Sequence, residues 1–213
     1  MDLDEVWRTI DAARAGLADL LEDLSDAEWN TPSLCDAWRV GDVAAHLTLA
    51  HTGYRAAVVG AVRARGSFDA MIRDTALRAA GLPPEEYARR LRAMVGSRRT
   101  APFLTPMEPL IDVLVHGQDI TLPLGRTRPM PTAAATAAAR RVWDLGFPFR
   151  ARRRLAGLRL AARDTDWSVG SGEAVEGPIA ALLLLLTGRS AAVDQLTGGG
   201  VRRLRRQEQK RPT

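Results

Sequence analysis

Residues 105–121 read Thr105-Pro-Met-Glu108-Pro-Leu-Ile-Asp112-Val-Leu-Val-His116-Gly-Gln-Asp119-Ile-Thr121. The stretch predicts a helix from about Thr105 or Pro106 through Thr121, closed by Pro123 and Gly125. Asp112 and His116 stand four apart, so both side chains project from one face. Two ligands on one rigid element can grip a single ion. The same spacing also describes an ordinary surface ion pair, so a third group from elsewhere must decide.

The candidate for that third group is His46, in Asp42-Val-Ala-Ala-His46-Leu47. The predicted helix here is long, from about Gly41 to Arg65, with Asp42 near its start and Gly66 as its stop. Small apolar residues surround His46, where a lone histidine is also commonly a hydrogen-bonded core residue. A bundle in which this helix faces the Asp112/His116 helix brings three ligands together. Two imidazoles, one carboxylate and an open position suit a catalytic zinc ion. His51, five residues on and about 140° round the helix, faces elsewhere.

The remaining chain predicts more helices. Asp2–Leu24 carries Leu3, Val6, Ile10, Ala13, Leu17, Leu20, Leu21 and Leu24 at helical spacing, with acids at its start. Ser25–Val40 reads as a loop, folded back on the core by Trp29 and Trp38. Asp69–Ala80, Pro84–Val95 and the alanine-rich Thr132–Leu145 read as further helices. After Gly146 come two short extended segments, Leu158–Ala162 and Trp167–Val169, an apolar helix Ile179–Leu186, and a last helix over Ser190–Leu196. The expected division is a helical bundle over 1–147, a small α+β domain over 155–205, and a disordered basic tail over 206–213.

Composition narrows the function. At 213 residues, 46% hydrophobic and 26% charged, the chain has ample material for a buried core. Its longest apolar stretch, Ile179–Leu186, is far short of the roughly 20 residues that cross a bilayer. Met1 is followed by an acidic amphipathic segment rather than a basic and then apolar leader, and Cys35 is the one cysteine, so a cytoplasmic protein is expected. The pI near 10.5 raises nucleic acid as a partner. Much of the excess base sits in Val201–Thr213, behind Gly198–Gly200, and no stretch interleaves bases with aromatics, so nucleic-acid binding is not expected.

The pattern Trp29-Asn-Thr-Pro32-Ser-Leu-Cys35-Asp-Ala-Trp38-Arg-Val-Gly-Asp42-Val-Ala-Ala-His46-Leu resembles the N-terminal signature of the mycothiol-dependent maleylpyruvate isomerase family, a branch of the DinB-like four-helix-bundle metalloproteins. Asp112-Val-Leu-Val-His116-Gly-Gln-Asp119-Ile is similar to that family's second signature. Trp167-Ser-Val-Gly170, Gly177-Pro178 and Leu186-Thr-Gly188-Arg189 resemble its small C-terminal domain. The resemblance implies a mainly α protein, a DinB-like four-helix bundle with a small α+β C-terminal domain. It also implies a divalent metal, zinc above all, on His46, Asp112 and His116.

The sequence departs from the family at the carboxylate. The isomerase has glutamate there, and Asp112 is one methylene shorter, so Glu108, one turn earlier, is held as the substitute ligand. Arg189 is the natural position for the family's substrate-binding arginine, although a helix C-terminus also attracts arginine electrostatically. Cys35 reads as a small buried hydrophobe rather than a nucleophile, since the family's thiol comes from outside. Asp119 and Gln118 are positioned to orient His116.

A zinc ion with an open position makes a thiolate available near neutral pH. The resemblance implies that the thiol is mycothiol, of actinobacteria. The function expected is a metal-dependent, thiol-using isomerase or S-transferase acting on a small, electrophilic, acidic substrate, as monomer or homodimer. Hydrolysis by zinc-bound water, or a non-catalytic binding or regulatory protein on the same bundle, are the alternatives.

Overall fold

The structure is a computed structural model, and it describes residues 1–49, 82–100 and 104–209. These fall into two compact units, Asp2–Arg128 and Pro129–Thr213, the second also counting Met1.

In the first unit, α1 (Leu3–Glu22) opens on Asp2, whose side chain accepts from the Glu5 amide at 2.7 Å. Asp4 and Glu5 follow in the first turn, where negative charge suits the helix dipole. A short α2 (Asp26–Trp29) occupies part of the expected loop. Ser25 and Glu28 close a reciprocal capping box there, and the Ser-x-x-Glu spacing is its signature. α3 (Val40–Leu47) starts where the Asp42 carboxylate accepts from the Arg39 amide at 2.8 Å. It is followed by turn residues Thr48 and Leu49; the rest of the expected long helix, His51 and the helix expected over Asp69–Ala80 lie outside the described residues. α4 (Pro84–Ala93) begins with a proline in its first turn, and α5 (Met107–Thr121) carries the stretch quoted at the outset.

α1 packs on α4 and α5, and α3 packs on α5 and α4. Leu17, Leu21, Val43, Ala44, Leu47, Leu91, Val113 and Ile120 meet in one core, against which Trp29 and Trp38 are both buried. The loop between α2 and α3 is therefore tied down, as two tryptophans in a polar connection require.

In the second unit, α6 (Thr132–Leu145) packs against α8 (Ile179–Leu186) through Ala134, Ala135, Ala138, Ala139 and Val142, all buried. That alanine face lets the helices approach closely. It places α6 with the C-terminal unit, so the division falls at Arg128/Pro129, earlier than the 147–155 expected from composition. A short α7 (Ala151–Arg154) leads to a three-stranded sheet in the order β2-β1-β3. β1 (Leu158–Ala162) runs antiparallel to β2 (Ser168–Gly170) and parallel to β3 (Glu173–Gly177). β3 was not expected from the sequence. The helix expected over Ser190–Leu196 is only a 3-10 turn, Val193–Gln195.

The tail also differs from expectation. Gly198–Gly200 is a packed turn: the Gly200 amide donates to the Ala174 carbonyl at 3.0 Å, and a Cβ at Gly200 would stand 2.7 Å from Leu158 and Val175. It launches α9 (Val201–Glu208), which buries Val201 and Leu204, so residues expected to be disordered from 206 are helical through Glu208. No described helix is long and apolar enough to cross a membrane.

Candidate metal centre

Every group of the centre lies in the first unit. α5 aims Asp112 and His116 from one face, one helical turn apart, and α3 brings His46 to the same point. His46 Nε2 stands 3.2 Å from Asp112 Oδ1, and His116 Nε2 stands 3.4 Å from the same oxygen. The imidazoles meet edge to face, with centroids 4.8 Å apart, and the Trp38 ring lies tilted against His46 with centroids 5.5 Å apart. The three ligand atoms fall within 4.8 Å of one another. The side chains of His46, Asp112 and His116 stay 18, 25 and 15% exposed.

A metal fits this donor set. With bonds of roughly 2.0–2.1 Å, adjacent N and O ligands of a tetrahedral zinc stand about 3.3 Å apart. The two separations to Asp112 Oδ1 bracket that edge. The shorter aspartate side chain thus still reaches the point on which the histidines converge. Glu108 is placed differently: its Oε2 accepts from the Thr105 amide at 2.7 Å and the Thr105 hydroxyl at 2.6 Å, at the start of α5. Among the described residues it joins no metal-binding cluster.

Electrostatics favours the ionised aspartate. Burial pushes the Asp112 carboxyl up, but the charge and hydrogen bond of His46, the charge of His116 and the more distant Arg14 outweigh it and hold it below the usual carboxylate range. Arg14 escaped the sequence reading. It is buried in α1, where its Nη1 donates to the Met94 carbonyl at 2.9 Å. Its signal was a charged residue on the apolar stripe between Ile10 and Leu17, where an unpaired charge is costly.

The residues around His116 separate. His116 Nδ1 lies 2.7 Å from Oδ2 of Asp119, which is fully buried. Gln118 instead donates its amide to the Arg128 carbonyl at 2.6 Å, closing the turn after α5. Cys35 Sγ comes within 3.1 Å of Asp119 Oδ2 and 3.7 Å of His116 Nδ1. Arg189 belongs to the second unit, past the end of α8, where its Nη1 donates to the Thr187 carbonyl at 2.8 Å.

Residues 10–106 match the sequence family described as the mycothiol maleylpyruvate isomerase N-terminal domain. The match contains Cys35 and His46 and ends just before the helix of Asp112 and His116. The fold is similar to a crystal structure of the mycothiol-dependent maleylpyruvate isomerase, at 16% identity over 93% of each chain with a TM-score of 0.65. It is similar also to the structure of a histidine-to-alanine mutant of such an isomerase, at 17% identity over 93% of each chain with a TM-score of 0.63. No curated protein matches by sequence.

Proposed function

We propose, for a chain whose residues 10–106 match the mycothiol maleylpyruvate isomerase N-terminal domain, a metal-dependent, thiol-using enzyme, isomerase or S-transferase, with mycothiol as co-substrate. The observation that carries this reading is the convergence of His46 Nε2 and His116 Nε2 on Asp112 Oδ1 at 3.2 and 3.4 Å. Those three residues would hold a divalent ion, zinc in the first instance. A bound divalent ion supplies a Lewis acid that favours the thiolate of a small thiol at neutral pH.

The side chains do the rest. His46 and His116 would offer imidazole nitrogens and Asp112 one carboxylate charge, so a divalent ion held there would keep net positive charge to attract an anionic sulfur. Trp38 backs His46 and restricts its rotation. Arg189 is assigned to an acidic group of the substrate, which guanidinium binds bidentately. In an isomerase the thiol sulfur would add to a conjugated double bond, the resulting single bond would rotate, and the thiol would leave. In a transferase the new bond would stay.

The test is elemental analysis of the purified protein with each ligand position replaced singly, joined to thermal shifts with mycothiol and glutathione. One metal per chain, lost in His46→Ala, Asp112→Ala and His116→Ala, is the expected result, with stabilisation by mycothiol alone. Retention in Asp112→Ala with loss in Glu108→Ala would reassign the carboxylate. No metal in any preparation would leave a binding protein on the same bundle, and metal without a mycothiol response would favour hydrolysis. Arg189→Ala should raise KM for an acidic substrate with kcat little changed.

A further inference from the structure

Asp119 is fully buried, and a carboxylate removed from water must have donors at its oxygens. Two converge on Oδ2. One is His116 Nδ1 at 2.7 Å, from the preceding turn of α5. The other is Cys35 Sγ at 3.1 Å, which arrives from the loop between α2 and α3, 84 positions earlier. The backbone of that loop is tied to the same residue, since the Leu34 amide donates to the Asp119 carbonyl at 3.2 Å.

These distances decide between two chemistries. If Sγ, Nδ1 and Oδ2 gripped an ion of their own, bonds of roughly 2.0–2.3 Å would open the sulfur edges to about 3.5 Å and the N–O edge to about 3.3 Å. The 3.7 Å between Sγ and Nδ1 is close to that sulfur edge, but the 3.1 and 2.7 Å contacts to Oδ2 are shorter than the edges an ion would set and are hydrogen-bond lengths.

We infer that Cys35 and Asp119 form a positioning pair that fixes the tautomer of His116. Asp119 Oδ2 takes the N–H of Nδ1, which leaves Nε2 without a proton and directed at Asp112. The Cys35 S–H, donating to the same oxygen, holds the carboxylate in the orientation that Nδ1 requires. The same loop carries Trp38 against His46, so Asp119 also ties the setting of His46 to that of His116. The inference rests on the proposed function in one respect, that Nε2 is the ligand atom. Cys35 acts through Asp119, and no step calls on its sulfur as a nucleophile.

The experiment uses full-length, metal-free protein labelled with 15N, with the His116 ring read by long-range 1H–15N correlation. Zinc affinity is read in parallel by chelator competition. Wild type should carry its proton on Nδ1. In Asp119→Asn the amide can donate as well as accept, so the Nδ1–H form should lose its dominance and zinc affinity should fall roughly 10–100-fold. Cys35→Ala should lower affinity severalfold with an unchanged circular-dichroism spectrum, and Cys35→Ser, which keeps a donor, should restore it. An Nδ1–H population unchanged in Asp119→Asn overturns the inference. So does a Cys35→Ala protein that binds zinc like wild type, or a Cys35→Ser protein no better than Cys35→Ala. Two equivalents of cadmium per chain, falling to one in Cys35→Ser, overturn it in favour of a second ion site. If Asp119→Asn does not fold, the Cys35 pair decides alone. If wild type binds no zinc, the proposed function fails while the tautomer readout still decides this inference.

Discussion

Oδ1 of Asp112 lies 3.2 Å from Nε2 of His46, a contact across 66 positions of the chain that joins α5 to α3 at the candidate centre. The charge and hydrogen bond of His46 hold this carboxyl below the usual carboxylate range, against the burial that raises it. Asp112→Asn keeps the shape and removes the charge. Zinc affinity should drop at least 100-fold while the helical circular-dichroism signal stays unchanged, as chelator competition would read. Affinity within a few-fold of wild type would remove Asp112 from the ligand set.

How much of this was legible in the sequence depended on range. Asp112 and His116 were legible because a helix places i and i+4 on one face. The convergence of His46 on them was not contained in any spacing and came through the family resemblance. Arg14 was passed over because the apolar pattern around it reads the same whether the position is buried or flanking. β3 was missed because Glu173-Ala-Val-Glu-Gly177 has one β-branched residue and depends on its parallel pairing with β1. The placement of α6 likewise follows from its packing on α8, a tertiary fact that composition does not carry.

Arg14 tests the cost of a buried cation. Its Nη1 satisfies the Met94 carbonyl at 2.9 Å just after α4, while its buried Nε has no partner among the described residues. Arg14→Met fills much of the same space but abandons that carbonyl. Removing one partner of a buried hydrogen bond costs about 1–3 kcal/mol, here partly offset by no longer burying a charge. A net loss of about 1–2 kcal/mol in urea unfolding is expected. Equal stability would mean that the carbonyl finds another donor.

The loop that carries Cys35 and Trp38 contains a strained position. Ala37 has φ of 63°, in the left-handed region, and the turn is closed by the Trp38 amide on the Cys35 carbonyl at 3.0 Å. A left-handed residue with a Cβ costs about 1–2 kcal/mol, and glycine gives back about 0.5–1 of that through its freer unfolded chain. Ala37→Gly should therefore gain about 0.5 kcal/mol, whereas Ala37→Val should lose about 1 kcal/mol or more. Thermal unfolding of the two variants reads both signs. A destabilised Ala37→Gly would show that the turn does not hold this conformation in solution.

Glu28 supplies the pH dependence. It caps α2 through the Ser25 amide and hydroxyl and binds Arg126 at 2.8 Å; these contacts, the Ser25 backbone first, lower its pKa from 4.5 to about 2. A carboxyl depressed on folding contributes stability in full above its unfolded value and loses it as the pH falls through its folded value. Wild type should thus be more stable than Glu28→Gln at pH 7, and the difference should shrink between about pH 4.5 and pH 2. Denaturant unfolding of both proteins at pH 7, 4 and 2.5 measures it. A gap that stays constant across that range would assign the stability to the shape of the cap rather than to its charge.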